Sequence, residues 1–221
     1  MLNKWLIAGA AFEAIETVRR SGQGKAMTQL NDTSSLLSFL KTRKSASAKA
    51  MTGPGPTPAQ LHEIFNIAVR VPDHGKLSPW RFIVFEAAAR AKIGEAFRNR
   101  WQALHPEHGE DSLNFQAGLF TRAPVVVAVI STAAQHPKIP MWEQQMSGAA
   151  VCFTMELAAQ ALGFDVQWQT DWVAYDDVAK AAMGIKNAEQ VAGLIYLGKS
   201  AVPLEDRPRP DVTSLVTQWG A

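Results

Sequence analysis

Residues 141–170 read MWEQQMSGAAVCFTMELAAQALGFDVQWQT, and two periodicities meet inside them. From Met141 to Leu162 no proline interrupts the run, and around Gly148–Phe153 it is apolar nearly all round. That spacing predicts a long helix buried in the core or at a subunit contact. Gly163 stands where a helix end needs a residue free to adopt the left-handed conformation. A strand is expected next, at 165–170. Upstream, Ala123 to Ile130 (APVVVAVI) is the longest apolar run; it is far short of the roughly 20 residues that cross a bilayer and reads as a buried strand at 124–131. Arg81 to Glu86 (RFIVFE) and Val191 to Gly198 (VAGLIYLG) read as further strands. The sum is an α+β domain with a few central strands and helices packed around a long buried one.

Further outward the signals keep alternating. Thr57-Pro58 offers an N-cap followed by proline at the first helical position, and Leu61, Ile64, Phe65 and Ala68 then share one face. Thr52 to Pro56 (TGPGP) and Val71 to Pro79 are loops. Helices are expected at 87–103, 113–120 and 176–183, with a polar surface loop from His105 to Ser112 and an extended tail from Pro203 to Pro210. Asp32 and Thr33 are placed to cap a short helix carrying Leu36, Leu37 and Leu40. Residues 1–30 read as an N-terminal extension to a domain at 31–221. Lys4 and the apolar stretch after it imitate a signal peptide, but Glu13 and Glu16 interrupt it and no convincing small-residue cleavage site follows.

The composition is that of an ordinary globular protein, 47% hydrophobic and 19% charged with a net charge of +2. Such a balance argues against a nucleic-acid binder, and no apolar run suggests a membrane protein. Cys152 is the single cysteine, which excludes an internal disulfide and any Cys-rich metal site and suits a reducing compartment such as the cytoplasm. No metal site is expected: His105 and His108 sit in HPEHGED, where proline, glycine and three acidic residues describe a solvated loop.

Three segments carry candidate chemistry. Arg43-Lys44-Ser45 at the end of the first helix could neutralise and hydrogen-bond a phosphate, although cations there also complement the helix dipole. Arg70-Val-Pro-Asp-His-Gly-Lys-Leu-Ser-Pro-Trp80 is a loop stiffened by two prolines that presents His74, Lys76, Ser78 and Trp80; a solvated turn would look the same. In the third, Ser147, Gly148, Ala149 and Ala150 allow a flat ligand, or simply another backbone, to approach the long helix.

Taken in order, these segments resemble the nitroreductase family, most closely its short YdjA-type branch. That family opens with a helix ending in Arg-Arg-Ser, here Arg43-Lys44-Ser45. A loop of the form Pro-x-x-x-x-x-Gln-Pro-Trp follows, here Pro72 to Trp80 with the branch's Pro-Asp-His start. The branch's Pro-x-Trp-Glu-Gln-x-Met-Ser run matches Pro140 to Ser147, its Gly-Phe-x-x-x-Trp strand matches Gly163 to Trp168, and a terminal Leu-Gly matches Leu197-Gly198. The likeness spans about residues 35–200.

The resemblance implies a nitroreductase-like fold, with a central, mainly antiparallel sheet surrounded by helices. It also implies an intertwined homodimer with FMN at the subunit interface, reduced by NAD(P)H and oxidised by a small acceptor such as a nitroaromatic or quinone. Carried over by position, Arg43, Lys44 and Ser45 hold the phosphate and ribityl end. Arg70 and His74 reach the same flavin from the other subunit, and Trp168, Gln169 and Thr170 line it. Ala158 to Gly163 matches a stretch assigned in the branch to NAD(P). No residue is expected to be catalytic in itself, since the flavin carries the hydride; a cation near the ring favours its reduction, and Lys76, His74 and Arg70 are the candidates. Two departures stand out: Lys76 and Ser78 replace the family's usual Asn and Gln, and Lys44 replaces a second Arg. A flavin-binding protein with different or no redox turnover is the alternative.

Overall fold

Residues 125–131 are buried without exception, and they divide between two cores. Val126, Ala128 and Ile130 belong to one cluster, whereas Val125, Val127 and Val129 belong to the other. This is the period of two of a strand covered on both faces, and it explains why the run shows no polar alternation. The computed structural model describes residues 29–220. The expected extension over 1–30 therefore lies outside the described residues as far as residue 28.

The chain divides into two compact units, Met1–Thr42 and Arg43–Ala221. In the first, helix α1 spans Leu36–Thr42. Its cap is Ser35, whose Oγ accepts from Ser38 N at 3.0 Å, and not the expected Asp32 or Thr33; Asp32 instead accepts from Ser34 N in a local turn.

In the second unit the strands are β1 (Met51–Thr52), β2 (Trp80–Glu86), β3 (Val125–Ser131), β4 (Asp165–Gln169) and β5 (Gln190–Ser200). The helices are α2 (Pro58–Ala68), α3 (Ala88–Leu104), α4 (Glu110–Ala117), α5 (Met141–Ala161) and α6 (Asp177–Ala182). Every pairing is antiparallel and β5 is the hub. It pairs with β3 from Leu197↔Val125 to Gln190↔Ser131, with β4 from Gly198↔Asp165 to Leu194↔Gln169, and at its end with β1. β2 flanks β3 on the far side. The two-residue β1 is too short to leave a sequence pattern and was not expected.

Helices close both faces. Leu61, Ile64 and Ala68 of α2 pack with Val151, Cys152, Met155 and Ala159 of α5 over one face, while Ile93 and Phe97 of α3 and Ala179 of α6 cover the other. Thr57 begins α2 with a full capping box: its side chain accepts from Gln60 N and the Gln60 side chain accepts from Thr57 N. α4 starts at Glu110, three residues before the position expected, because Glu110 and Asp111 suit the positive end of a helix. Among the described residues no helix is long and apolar enough to cross a membrane.

Candidate functional site

The basic step Arg43-Lys44-Ser45 runs beside α5 rather than free in solvent. Arg43 Nη2 donates to Glu156 Oε1 at 3.0 Å and to Ser45 Oγ at 2.9 Å, and Ser45 Oγ donates to the same Glu156 oxygen. The guanidinium also lies over the Phe153 ring, 5.5 Å from its centre. One turn on, Gln160 Nε2 donates to the Lys44 carbonyl at 2.8 Å. Ala46 N then donates to Val166 O, tying the segment to the edge of β4. A cleft of about 450 Å³ opens here, lined by Lys44, Ser45, Ser47, Ser200 and residues 202–205. Lys44 and the Ser47 hydroxyl suit a phosphate; Ser45 and Ser200 donate to Glu156 and Val202, the Glu205 carboxylate also lines the cleft, and the Arg43 Nε–H is buried with no partner.

The second predicted segment forms a tight loop. Asp73 holds it from inside, its carboxylate accepting from Leu77 N and Ser78 N at 3.2 and 2.8 Å. Gly75 takes φ 74°, a left-handed conformation that favours glycine. His74 Nδ1 meets Glu143 Oε2 at 2.7 Å, and Ser147 Oγ donates to Pro72 O at 2.9 Å. His74, Glu143, Ser147, Trp142, Met146 and Pro72 line a cleft of about 380 Å³ over the start of α5. Arg70 and Lys76 are exposed.

The β4 residues are divided in their surroundings. Trp168 is half-buried; its indole lies across Gly193 and donates to Ala192 O at 3.3 Å. Gln169 pairs with Leu194 in the ladder; the Tyr196 hydroxyl nearby is buried without a hydrogen-bond partner among the described residues, and burial pushes it up to about 12. Thr170 is exposed and its Oγ1 accepts from Tyr175 at 3.2 Å. Within Ala158 to Gly163, by contrast, Ala158, Ala159 and Gln160 face the interior. They offer no open surface to a nucleotide.

The predicted residues thus form two groups in one chain. Glu143 and Glu156, the α5 carboxylates that His74 and Arg43 contact, stand thirteen residues apart on one helix, about 20 Å along its axis. Neither carboxylate was singled out from sequence, nor was Gln160. The available signal was a charged residue at 156 inside a helix apolar on nearly every side.

His105, Glu107 and His108 bring one ligand atom each within 4.8 Å of the others. Trp101 Nε1–H donates to His108 Nδ1 at 3.0 Å. A ring that accepts at Nδ1 carries its proton on Nε2 when neutral, so the nitrogen facing Glu107 is a donor and not a metal ligand. The imidazoles act here as partners in a stack with Trp101.

The chain is similar to known proteins in both sequence and fold. A family model described as Nitroreductase family matches residues 40–199. The Escherichia coli (strain K12) protein named "Putative NAD(P)H nitroreductase YdjA" is 30% identical over 83% of this chain and 98% of its own length. A relative of Haemophilus influenzae with the same name, less the final word, is 35% identical over 73% of this chain and 86% of its own. In fold, the chain is similar to a nitroreductase-like family protein from Bacillus cereus, with a TM-score of 0.72 at 18% identity over 87% of this chain and 100% of that one. A nitroreductase with bound FMN from Bacteroides fragilis gives 0.61 at 20% identity over 82% and 98%. With a family model matching residues 40–199 and relatives 30% and 35% identical over most of its length, the chain belongs to the nitroreductase family.

Proposed function

We propose that the chain is an FMN-dependent oxidoreductase that moves hydride from NAD(P)H to a small electron acceptor, such as a nitroaromatic or a quinone. We further propose that it works as a homodimer. The observation that carries this reading is the separation of the two half-sites along α5. A phosphate cradle at Arg43–Ser45 and an aromatic cleft at His74 lie about 20 Å apart on one helix, so a second copy is needed to bring Arg70 and His74 to a flavin held at Arg43.

The side chains present fit that cofactor. Lys44, Ser45 and Ser47 line the cleft where its phosphate would be held, beside the unpartnered Arg43 Nε–H. FMN supplies the hydride chemistry when bound. Trp168, Gln169 and Thr170 follow on β4, the strand whose edge receives Ala46, and would flank the ring, while Lys76 and His74 would place positive or proton-donating groups near it. Trp142, Met146 and Phe153 of α5 are exposed at 68%, 52% and 39%, an apolar patch of the kind that a subunit contact covers. The only cysteine, Cys152, is buried as a free thiol, in keeping with the cytoplasm.

The test is an absorbance spectrum of the purified protein, followed by anaerobic addition of NADPH and then NADH. Flavin bands that bleach with either nucleotide are expected, and the faster one names the donor. The alternative, a flavin-binding protein with no turnover, is favoured by one observation. Lys76 and Ser78 take φ of 54° and 47°, a region in which the Asn expected at 76 is at lower cost than Lys. Bound flavin that never bleaches would select it.

A further inference from the structure

Glu156 is a buried carboxylate that the proposed chemistry leaves unused. Its side chain is 4% exposed. A carboxylate so placed stays charged only if it is paired. Its partners are Arg43 and Ser45, two of the three residues that are to hold the flavin phosphate. The guanidinium therefore serves two anions: Glu156 at 3.0 Å through Nη2, and the phosphate through what remains, including the buried Nε–H. Arg43 has nowhere else to go, because Phe153 covers its face and the Arg209 side chain caps its carbonyl at 3.3 Å.

The consequence is one of charge. Arg43 and Lys44 alone would present two adjacent cations to a phosphate. Glu156 cancels one of them at hydrogen-bond distance, in a place that water screens poorly. We propose that Glu156 sets the discrimination between phosphorylated and unphosphorylated flavin, by cancelling the charge of Arg43 beside the cleft. The proposal rests on the FMN reading given above. It makes Glu156 a selectivity-setting residue that acts through Arg43 and need not touch the flavin.

The experiment is calorimetric titration of the flavin-free, full-length protein with FMN and with riboflavin, for wild type and Glu156→Gln. The amide keeps the shape and removes the charge. The ratio of riboflavin Kd to FMN Kd is expected to rise about tenfold or more in Glu156→Gln, with riboflavin itself changing by less than about threefold. An unchanged or reduced ratio would overturn the proposal, since a merely structural carboxylate would weaken both flavins alike. Without flavin, Glu156→Gln is also expected to melt below wild type, because Arg43 is left as a buried charge without its partner, and FMN is expected to raise its melting temperature more than riboflavin does.

Should Glu156→Gln not fold, Arg43→Met combined with Glu156→Gln carries the test. The net charge of the step is then that of wild type and only the Arg43 contact is lost, so the ratio should fall by no more than about tenfold, the worth of one hydrogen bond. A fall of about a hundredfold or more would mean that Arg43 serves the phosphate at full charge and that Glu156 sets nothing. Wild type that binds neither flavin would sink the FMN reading itself; wild type that binds both with a ratio unmoved by Glu156→Gln would sink only the inference.

Discussion

Glu143 Oε2 lies 2.7 Å from His74 Nδ1, and the next turn of the same helix, at Ser147, donates to the carbonyl of Pro72. The first two turns of α5 therefore hold the tight loop at two points. The contact itself is open to water, at 62% and 47% side-chain exposure, and exposed polar pairs contribute little to stability. Glu143→Gln is expected to change the unfolding free energy by less than about 1 kcal/mol in urea. His74→Ala is expected to weaken FMN binding by about tenfold, the loss of one charge-assisted contact, as read by fluorescence titration. Glu143→Gln, which leaves the ring present but free to turn, should fall between wild type and His74→Ala.

At the far end of the same loop, β2 begins beside a buried carboxylate. Arg81 reaches both oxygens of Glu189, at 2.8 Å through Nε and 2.6 Å through Nη2. That hydrogen-bonded fork is the main cause holding the Glu189 carboxyl down at about 2, against an ordinary 4.5. A folded pKa below the unfolded one stabilises the native state above the unfolded value, and the contribution is lost as pH falls through the folded one. Glu189→Gln should therefore cost about 2 kcal/mol near neutral pH. Its difference from wild type should close between pH 4.5 and 2, measured as urea midpoints across that range.

A cap offers a cleaner local test. Thr57 Oγ1 accepts from Gln60 N at 3.3 Å, and Thr57 N donates to Gln60 Oε1 at 3.0 Å. Thr57→Ala removes one half of this exchange and is expected to cost about 1 kcal/mol in urea. Because α2 covers the sheet face beside α5 and leads into Arg70, Thr57→Gly should cost less than Thr57→Ala if the cap alone is at stake.

These elements also show why some of the molecule was legible in advance and some was not. The Thr57-Pro58 start, the all-apolar β3 and the long α5 are local patterns, decided by residues within a few positions of one another. β1 is two residues long and exists only because Ser200 and Lys199 come to meet it. The motif residues of the site could be named for the same reason as α5, since Arg43 to Ser45 and Pro72 to Trp80 are contiguous. Their partners are not contiguous. Glu156 lies 111 residues from Ser45 and Glu143 lies 69 from His74, and no spacing rule links such pairs. Gln160 looked like helix core, and its packing is that of core; what the sequence pattern concealed is that its amide holds the Lys44 backbone.

Gly193 is another position decided at long range. A Cβ there would fall inside contact distance of Trp168 Nε1 and 3.0 Å from Cys152 Sγ. The indole can cross β5 only because that side chain is missing, and its hydrogen bond to Ala192 O depends on the crossing. Gly193→Ala is expected to destabilise by about 2 kcal/mol or more, as overpacking does in a close-packed site. It should also turn Trp168 out of register, seen as a changed near-ultraviolet circular dichroism. If Trp168 flanks the flavin, the same variant should weaken FMN and riboflavin binding equally, since the phosphate cradle is untouched.

Cys152 reports on α5 as a whole. It faces the sheet with no exposed surface, and burial pushes its thiol up to about 12. Only the thiolate attacks disulfide reagents, so the folded protein is protected twice: by access and by the small fraction ionised. Modification by a chromogenic disulfide at pH 8 should proceed only when α5 lifts from β3 and β5, an opening that exposes the core around Val151 and Met155. For a domain of ordinary stability that makes the native rate slower than the urea-unfolded rate by about a thousandfold or more. FMN should slow it further if it binds only the closed form, by the factor that mass action dictates. Rapid labelling of the native protein would mean that α5 opens on its own, separately from global unfolding.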